Sequence, residues 1–154
     1  MRDNQVTRSQ TYPAFQMALP DGWEERTVYT FMGPDDSGVQ HLLTLVVDPD
    51  VVDDDVSDYA RLRIDTLMES LQGAEILKEE ERTLPGGKTI YECVYKWVPS
   101  KDKPIFQKVV YLIAGGTGYT FSANFSKKTI KTIGVEVERM IDSFRPAGML
   151  EEDE

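Results

Sequence analysis

His41 and Cys93 are each the single residue of their kind in the chain. Together they could form a nucleophilic dyad, with the thiolate attacking and the imidazole taking its proton. Both fall in stretches that alternate as strands do, and the residues sharing a face with Cys93 are Tyr91, Tyr95 and Trp97, which read as core. One His and one Cys fall short of a typical four-ligand zinc site, although carboxylates could complete one. The acidic run over residues 48–58 invites a calcium loop. Counted from Asp48, however, the fifth position is Val52 and the sixth is Asp53, where an EF-hand loop needs a ligand and a glycine. Gly115-Gly116-Thr117-Gly118 precedes no helix that could hold a phosphate, and there is no Walker sequence. The other Asp and Glu residues gather in loops, at a helix start and in the C-terminal tail, so no pair stands out as a glycosidase pair. The residues therefore predict a chain that is not an enzyme and carries no metal or cofactor.

Three strands over residues 88–125 organise everything else. In the last of them Tyr119, Phe121, Ala123 and Phe125 alternate with Gly118, Thr120, Ser122 and Asn124, the period of a strand with two unlike faces. Gly115-Gly116 suits a two-residue turn that needs positive φ at both positions. If Ala114 faces Thr117 across it, Leu112 lies beside Tyr119, Val110 beside Phe121 and Lys108 beside Ala123. Upstream, Phe15, Met17 and Leu19 alternate before a turn at Pro20-Asp21-Gly22, and strands follow over residues 23–32 and 39–48. Asp55 caps a helix beginning at Val56, with Asp58 near the positive end of its dipole. That helix presents Ala60, Ile64, Leu67, Met68 and Leu71 and ends near Gly73. Residues 74–84 form a charged edge strand, with Lys78, Glu79, Glu80, Glu81 and Arg82 in a row. After Ser126 a second helix carries Ile130, Ile133, Val137, Met140, Ile141 and Phe144 and stops at Pro146. The expected fold is α+β, one antiparallel sheet of about seven strands with two packed helices in the order βββαββββα. The expected organisation is a flexible N-terminus over residues 1–11, one domain over 12–146 and an acidic tail over 147–154.

Charge narrows the partners. Lys and Arg total 17 against 27 Asp and Glu, a formal net charge of -10, which argues against nucleic acid and anionic membrane surfaces. No run approaches the roughly 18 apolar residues of a membrane span, and the first ten residues hold no apolar signal core. A cytoplasmic protein without stable membrane insertion is expected.

Assigning the cleaner apolar set of each strand to the helices leaves a second sheet face. It comprises Val28, Thr30 and Met32, then Leu42, Thr44 and Val46, then Gln107, Val109 and Tyr111, and finally Thr120, Ser122 and Asn124. Such a mixture of aliphatic and short hydrogen-bonding groups suits neither a core nor a solvated surface. It fits a receptor for an apolar helix, the alternative being a face that is partly solvated or covered by a dimer partner. Two helices are too few for both faces of so large a sheet, so a homodimer is expected.

Three local motifs carry a family resemblance. They are Phe15-x-x-x-Leu19-Pro20-Asp21-Gly22-Trp23-Glu24-Glu25-Arg26-Thr27, then Phe121-Ser122-Ala123-Asn124-Phe125, and Ile141-Asp142-Ser143-Phe144-Arg145-Pro146. Over residues 12–146 the chain resembles the DcrB-related family, whose fold is similar to PsbP. The Leu19-Pro20-x-x-Trp23 entry looks closest to the Eag-type chaperones of type VI secretion. That resemblance implies a cytosolic, non-enzymatic homodimer that shields the hydrophobic N-terminal segment of a secreted effector. The alternative it leaves open is a PsbP-like adaptor that docks on a folded protein or a small ligand.

Overall fold

The computed structural model describes residues 7–11, 14–36, 38–99 and 103–147. Its centre is a wholly antiparallel sheet of six strands. In chain order these are β3 (Val28–Asp36), β4 (Val39–Asp48), β5 (Glu75–Thr83), β6 (Thr89–Trp97), β7 (Ile105–Ala114) and β8 (Thr117–Phe125). Across the sheet they lie in the order β3-β4-β8-β7-β6-β5. Two further strands, β1 (Thr7–Thr11) and β2 (Gln16–Pro20), pair only with each other. The helices are α1 (Val56–Ser70) and α2 (Ile133–Asp142), the second preceded by a 3-10 turn, Thr129–Lys131.

Class, antiparallel sheet and helix count follow the sequence reading. Its loose N-terminus is corrected over Thr7–Thr11, which pairs with β2, while residues 1–6 and 148–154 lie outside the described residues. The hairpin register holds pair by pair: Ala114 faces Thr117, Leu112 faces Tyr119, Val110 faces Phe121 and Lys108 faces Ala123. Gly115 and Gly116 take φ of 58° and 78° there, a region open to glycine at no steric cost. Asp55 caps α1 as expected, its side chain accepting a hydrogen bond from the Ser57 amide at 3.0 Å. Ser126 instead supports the 3-10 turn, its hydroxyl accepting from the Thr129 amide at 3.2 Å, and α2 starts seven residues later.

The helices take opposite faces. Helix α2 lays Ile133, Val137 and Ile141 on Leu43, Leu45, Ile90, Val110, Leu112, Phe121, Ala123 and Phe125. Helix α1 lays Val56, Tyr59, Ala60 and Ile64 on Cys93, Tyr95, Val109 and Tyr111. Each fully buried side chain of this size contributes about 1.5 to 3 kcal/mol gross, offset by the entropy of ordering it. Giving both helices the same face was thus wrong, and the stripe of α1 explains why. Its tyrosine and aliphatic residues need an apolar bed, and Cys93 and Tyr95 of β6 with Val109 and Tyr111 of β7 supply one on this side. Here the sheet and α1 meet closely enough that a Cβ at the buried Gly118 would collide with the Tyr59 hydroxyl and lie 2.8 Å from Val51.

Candidate functional site

The second face is real as a geometric set, and α1 divides it. Strand pairing brings Val28 opposite Val46, Thr30 opposite Thr44 and Met32 opposite Leu42. Thr44 then faces Ser122, Val46 faces Thr120, and across the next pair Ser122 faces Val109, Thr120 faces Tyr111 and Asn124 faces Gln107. The twelve residues therefore lie in adjoining rows that run across the strands. Val109 and Tyr111 are only 4% and 2% exposed, because α1 covers them; Tyr111 packs edge to face against Tyr59 with ring centroids 6.1 Å apart. They are structural rather than available, which corrects their place in the expected surface. Val28, Thr30, Met32 and Val46 are exposed, and Leu42, Thr44, Gln107, Thr120, Ser122 and Asn124 are half-buried.

What remains is an open half-face on β3, β4 and β8, walled on one side by α1. A cleft of about 420 Å³ lies at the wall, where Arg63 and Leu67 of α1 meet Val46, Gln107, Thr120 and Ser122. The positive charge at the rim is held aside. Arg63 stacks its guanidinium 3.6 Å over the Tyr59 ring, donates to the Tyr59 carbonyl at 3.1 Å and reaches Asp48 at 3.4 Å. The polar groups of the half-face are knitted into the sheet as well. The Asn124 side chain accepts from the Leu42 amide at 2.9 Å and donates to the Gln40 carbonyl at 3.1 Å, and the Tyr95 hydroxyl bonds the Gln107 side chain. Thr30, Thr44 and Ser122 form a hydroxyl row between aliphatic residues.

His41 and Cys93 do not meet. Cys93 is fully buried beneath α1, whereas His41 shares the α2 face with Leu43 and Leu45, so the sheet separates them. Burial pushes the Cys93 thiol up to about 11, and it pushes Tyr95 up to about 12 and Tyr111 above its ordinary value. A thiol so placed is not a thiolate at neutral pH. His41 contributes structure: Nδ1 lies 2.7 Å from the Pro34 carbonyl and Nε2 lies 2.7 Å from the Thr129 hydroxyl, tying the end of β3 to the approach of α2. Among the described residues no three His, Cys, Asp or Glu side chains gather as a metal site. Nor is any helix among them long and apolar enough to cross a membrane.

Two features escaped the sequence reading. Beneath the C-terminal end of α2, Glu92 is 1% exposed and accepts from Arg82 Nε at 2.8 Å, with Lys78 at 3.3 Å and Lys108 at 3.8 Å. Arg82 also reaches Asp142 of α2 at 3.1 Å. Burial pushes the Glu92 carboxyl up, but the Arg82 hydrogen bond and the charges of Lys108, Arg82 and Lys78 outweigh it and hold the group below the usual glutamate range. The only signal was a glutamate on the same strand face as the buried Ile90. The second feature is an apolar groove of about 430 Å³ where Tyr29 and Phe31 of β3 approach Met140 of α2 and Phe144 beyond it.

With this geometry in hand, comparison with known proteins is informative at the level of fold and family. A DcrB family model matches residues 15–143. Nothing among curated proteins matches. The crystal structure of PA94 from Pseudomonas aeruginosa, described as a protein of unknown function, superposes with a TM-score of 0.69 at 12% identity, covering 92% of this chain and 98% of that one. The solution structure of the cyanobacterial PsbP (CyanoP) of Synechocystis gives a TM-score of 0.51 at 15% identity, covering 93% and 94%. A family match over most of the length leads to one conclusion: the chain belongs to the DcrB family, on a fold like that of PsbP.

Proposed function

We propose that the open half-face on β3, β4 and β8 is the partner-binding surface of this module, and that its occupant is the apolar N-terminal segment of a secreted effector, shielded in the cytoplasm before type VI export. The observation that carries the reading is the composition of the surface. Val28, Met32 and Val46 offer exposed aliphatic contact, while Thr30, Thr44 and Ser122 place short hydroxyls between them. An apolar helix that has left water needs both, because its small and hydroxyl residues otherwise keep unsatisfied partners. The resemblance to Eag-type chaperones supports the same occupant and a homodimeric state. Family and fold by themselves support a broader reading, an adaptor that docks on a folded protein or a small ligand.

The two readings separate in one assay. A synthetic peptide of an apolar, membrane-spanning helix, held in mild detergent, is titrated with the protein by fluorescence anisotropy. Thr44→Glu and Ser122→Arg each place a charge that the bound helix would desolvate without a partner, and each is expected to weaken binding at least about tenfold, the equivalent of about 1.4 kcal/mol. Wild-type affinity in both variants would move the site elsewhere. Failure of the wild type to bind any such peptide, with capture of folded domains instead, would establish the adaptor reading.

A further inference from the structure

The two edges of the sheet are built differently. At one edge, β5 carries Lys78, Glu79, Glu80, Glu81 and Arg82, the charge that keeps an edge from pairing with a stranger. At the other, β3 has no strand on its outer side among the described residues, every one of its residues is exposed, and from Val28 to Met32 it reads Val-Tyr-Thr-Phe-Met without a charge. Met32 is 75% exposed and Phe31 48%. An apolar edge left open in this way is a template for another strand.

The geometry points to the occupant: we infer that β3 pairs edge to edge, antiparallel, with β3 of a second copy, on a two-fold axis through Thr30. The inference deepens the homodimer expected above by supplying its contact. The backbone fixes the register. Thr27 accepts from the Val47 amide at 3.3 Å, so Thr27 and Val47 are a hydrogen-bonded pair. Alternation along an antiparallel ladder then turns the N–H and C=O of Tyr29 and Phe31 toward β4 and those of Val28, Thr30 and Met32 outward. Centred on Thr30, these three outward residues find partners in Met32, Thr30 and Val28 of the second copy, and each pair exchanges both of its hydrogen bonds. Tyr29 faces Phe31 on the α2 side, twice about the axis, an aromatic pair in the closer, non-bonded position.

Sequence on either side ends the ladder where it should. One pair further out, Pro34 has no N–H to give, and the register breaks between Met32 and Asp35. Beyond that, Glu25 would meet Asp35 and Glu24 would meet Asp36, like charges that oppose any longer pairing. Shifting the axis by one residue pair toward Phe31 brings Val28 against Pro34, and shifting it toward Tyr29 strands Met32 against Arg26. The Thr30 register alone pairs every outward group of the uncharged run. It joins two six-stranded sheets into one and sets the two open half-faces side by side on the same surface.

Light scattering at micromolar concentration tests this on the full chain. The wild type is expected at twice the 17.5 kDa chain mass. Thr30→Pro removes an outward donor without touching the β3–β4 bonds and is expected at the single-chain mass, while Glu80→Lys on the β5 edge stays dimeric. Thr30→Cys is expected to form a disulfide-linked dimer under mild oxidation, since residues in a hydrogen-bonded pair lie about 5.5 Å apart at Cα, within disulfide reach. Lys78→Cys is expected to form none. If Thr30→Pro fails to fold, cross-linking decides. A monomeric wild type overturns the inference, as does a dimer from which Thr30→Cys gives no cross-link. Titrating the apolar peptide against the wild type keeps the two ideas apart: a wild type that binds without dimerising overturns only the β3 contact, and a β3 dimer without binding overturns only the proposed client.

Discussion

Removing the Arg82 side chain tests the reasoning about the buried charge cluster most severely. Arg82→Ala takes away the 2.8 Å hydrogen bond to Glu92 and the 3.1 Å ion pair to Asp142, leaving Glu92 with Lys78 at 3.3 Å and Lys108 at 3.8 Å. Breaking a buried pair by deleting one partner costs about 3 to 5 kcal/mol, most of it the charge left behind. Two lysines remain and Arg82 is 23% exposed, so the lower end applies, about 3 kcal/mol at neutral pH. In a domain of 154 residues that corresponds to a fall in Tm of roughly 6 to 12 °C. The pH dependence carries a sign. The folded Glu92 titrates below the unfolded group, so its contribution is present above the unfolded glutamate range and is lost as pH falls through the folded value. Without Arg82 burial gains weight and the folded value rises toward the unfolded one, so less stability is lost to acid through Glu92 and the variant is less acid-sensitive than the wild type. Urea unfolding of wild type, Arg82→Ala, Glu92→Gln and the double variant between neutral pH and pH 3 measures both effects. A loss below about 1 kcal/mol, or unchanged acid sensitivity, would refute the cluster as a clamp on α2.

Two further outcomes follow from the α1 side. Gly118→Ala is expected to destabilise by about 1 to 3 kcal/mol, because the new methyl meets Tyr59 and Val51 rather than open space; an unchanged Tm would mean that α1 sits further from the sheet. Cys93, buried and held near a pKa of about 11, is expected to ignore a thiol reagent at pH 8 in the native protein and to react fully in urea. Rapid native labelling would show that the α1 side opens readily.

What was legible in the sequence was local. A two-glycine turn sets the β7–β8 register, an aspartate marks the start of α1, and alternation sorts each strand into two faces, because all three depend on neighbours in the chain. The placement of α1 was not legible. Val109 and Tyr111 alternate as well with the half-buried Thr44 and exposed Val46 as with the buried Cys93 and Tyr95, and only the strand order, with β8 inserted between β4 and β7, puts them under a helix. Glu92 was missed for a related reason. A glutamate in a strand ordinarily marks the solvated side, and the cations that make burial tolerable come from β5 and β7, at positions the chain order does not single out.

The strand order also has a consequence for how the molecule assembles and comes apart. Strands β5 to β8 follow one another through short connections and pair as they emerge, so their contacts close small loops. The β3–β4 hairpin is local too, but its place in the sheet depends on β4 finding β8 some seventy residues later, with Leu43 against Ala123 and Asp48 against Gly118. Loop-closure entropy makes that single seam the expected last contact of the sheet to close. A partner bound across β3, β4 and β8 spans it, so occupancy would show as slowed amide hydrogen exchange along the whole β4–β8 seam, well beyond the residues it touches.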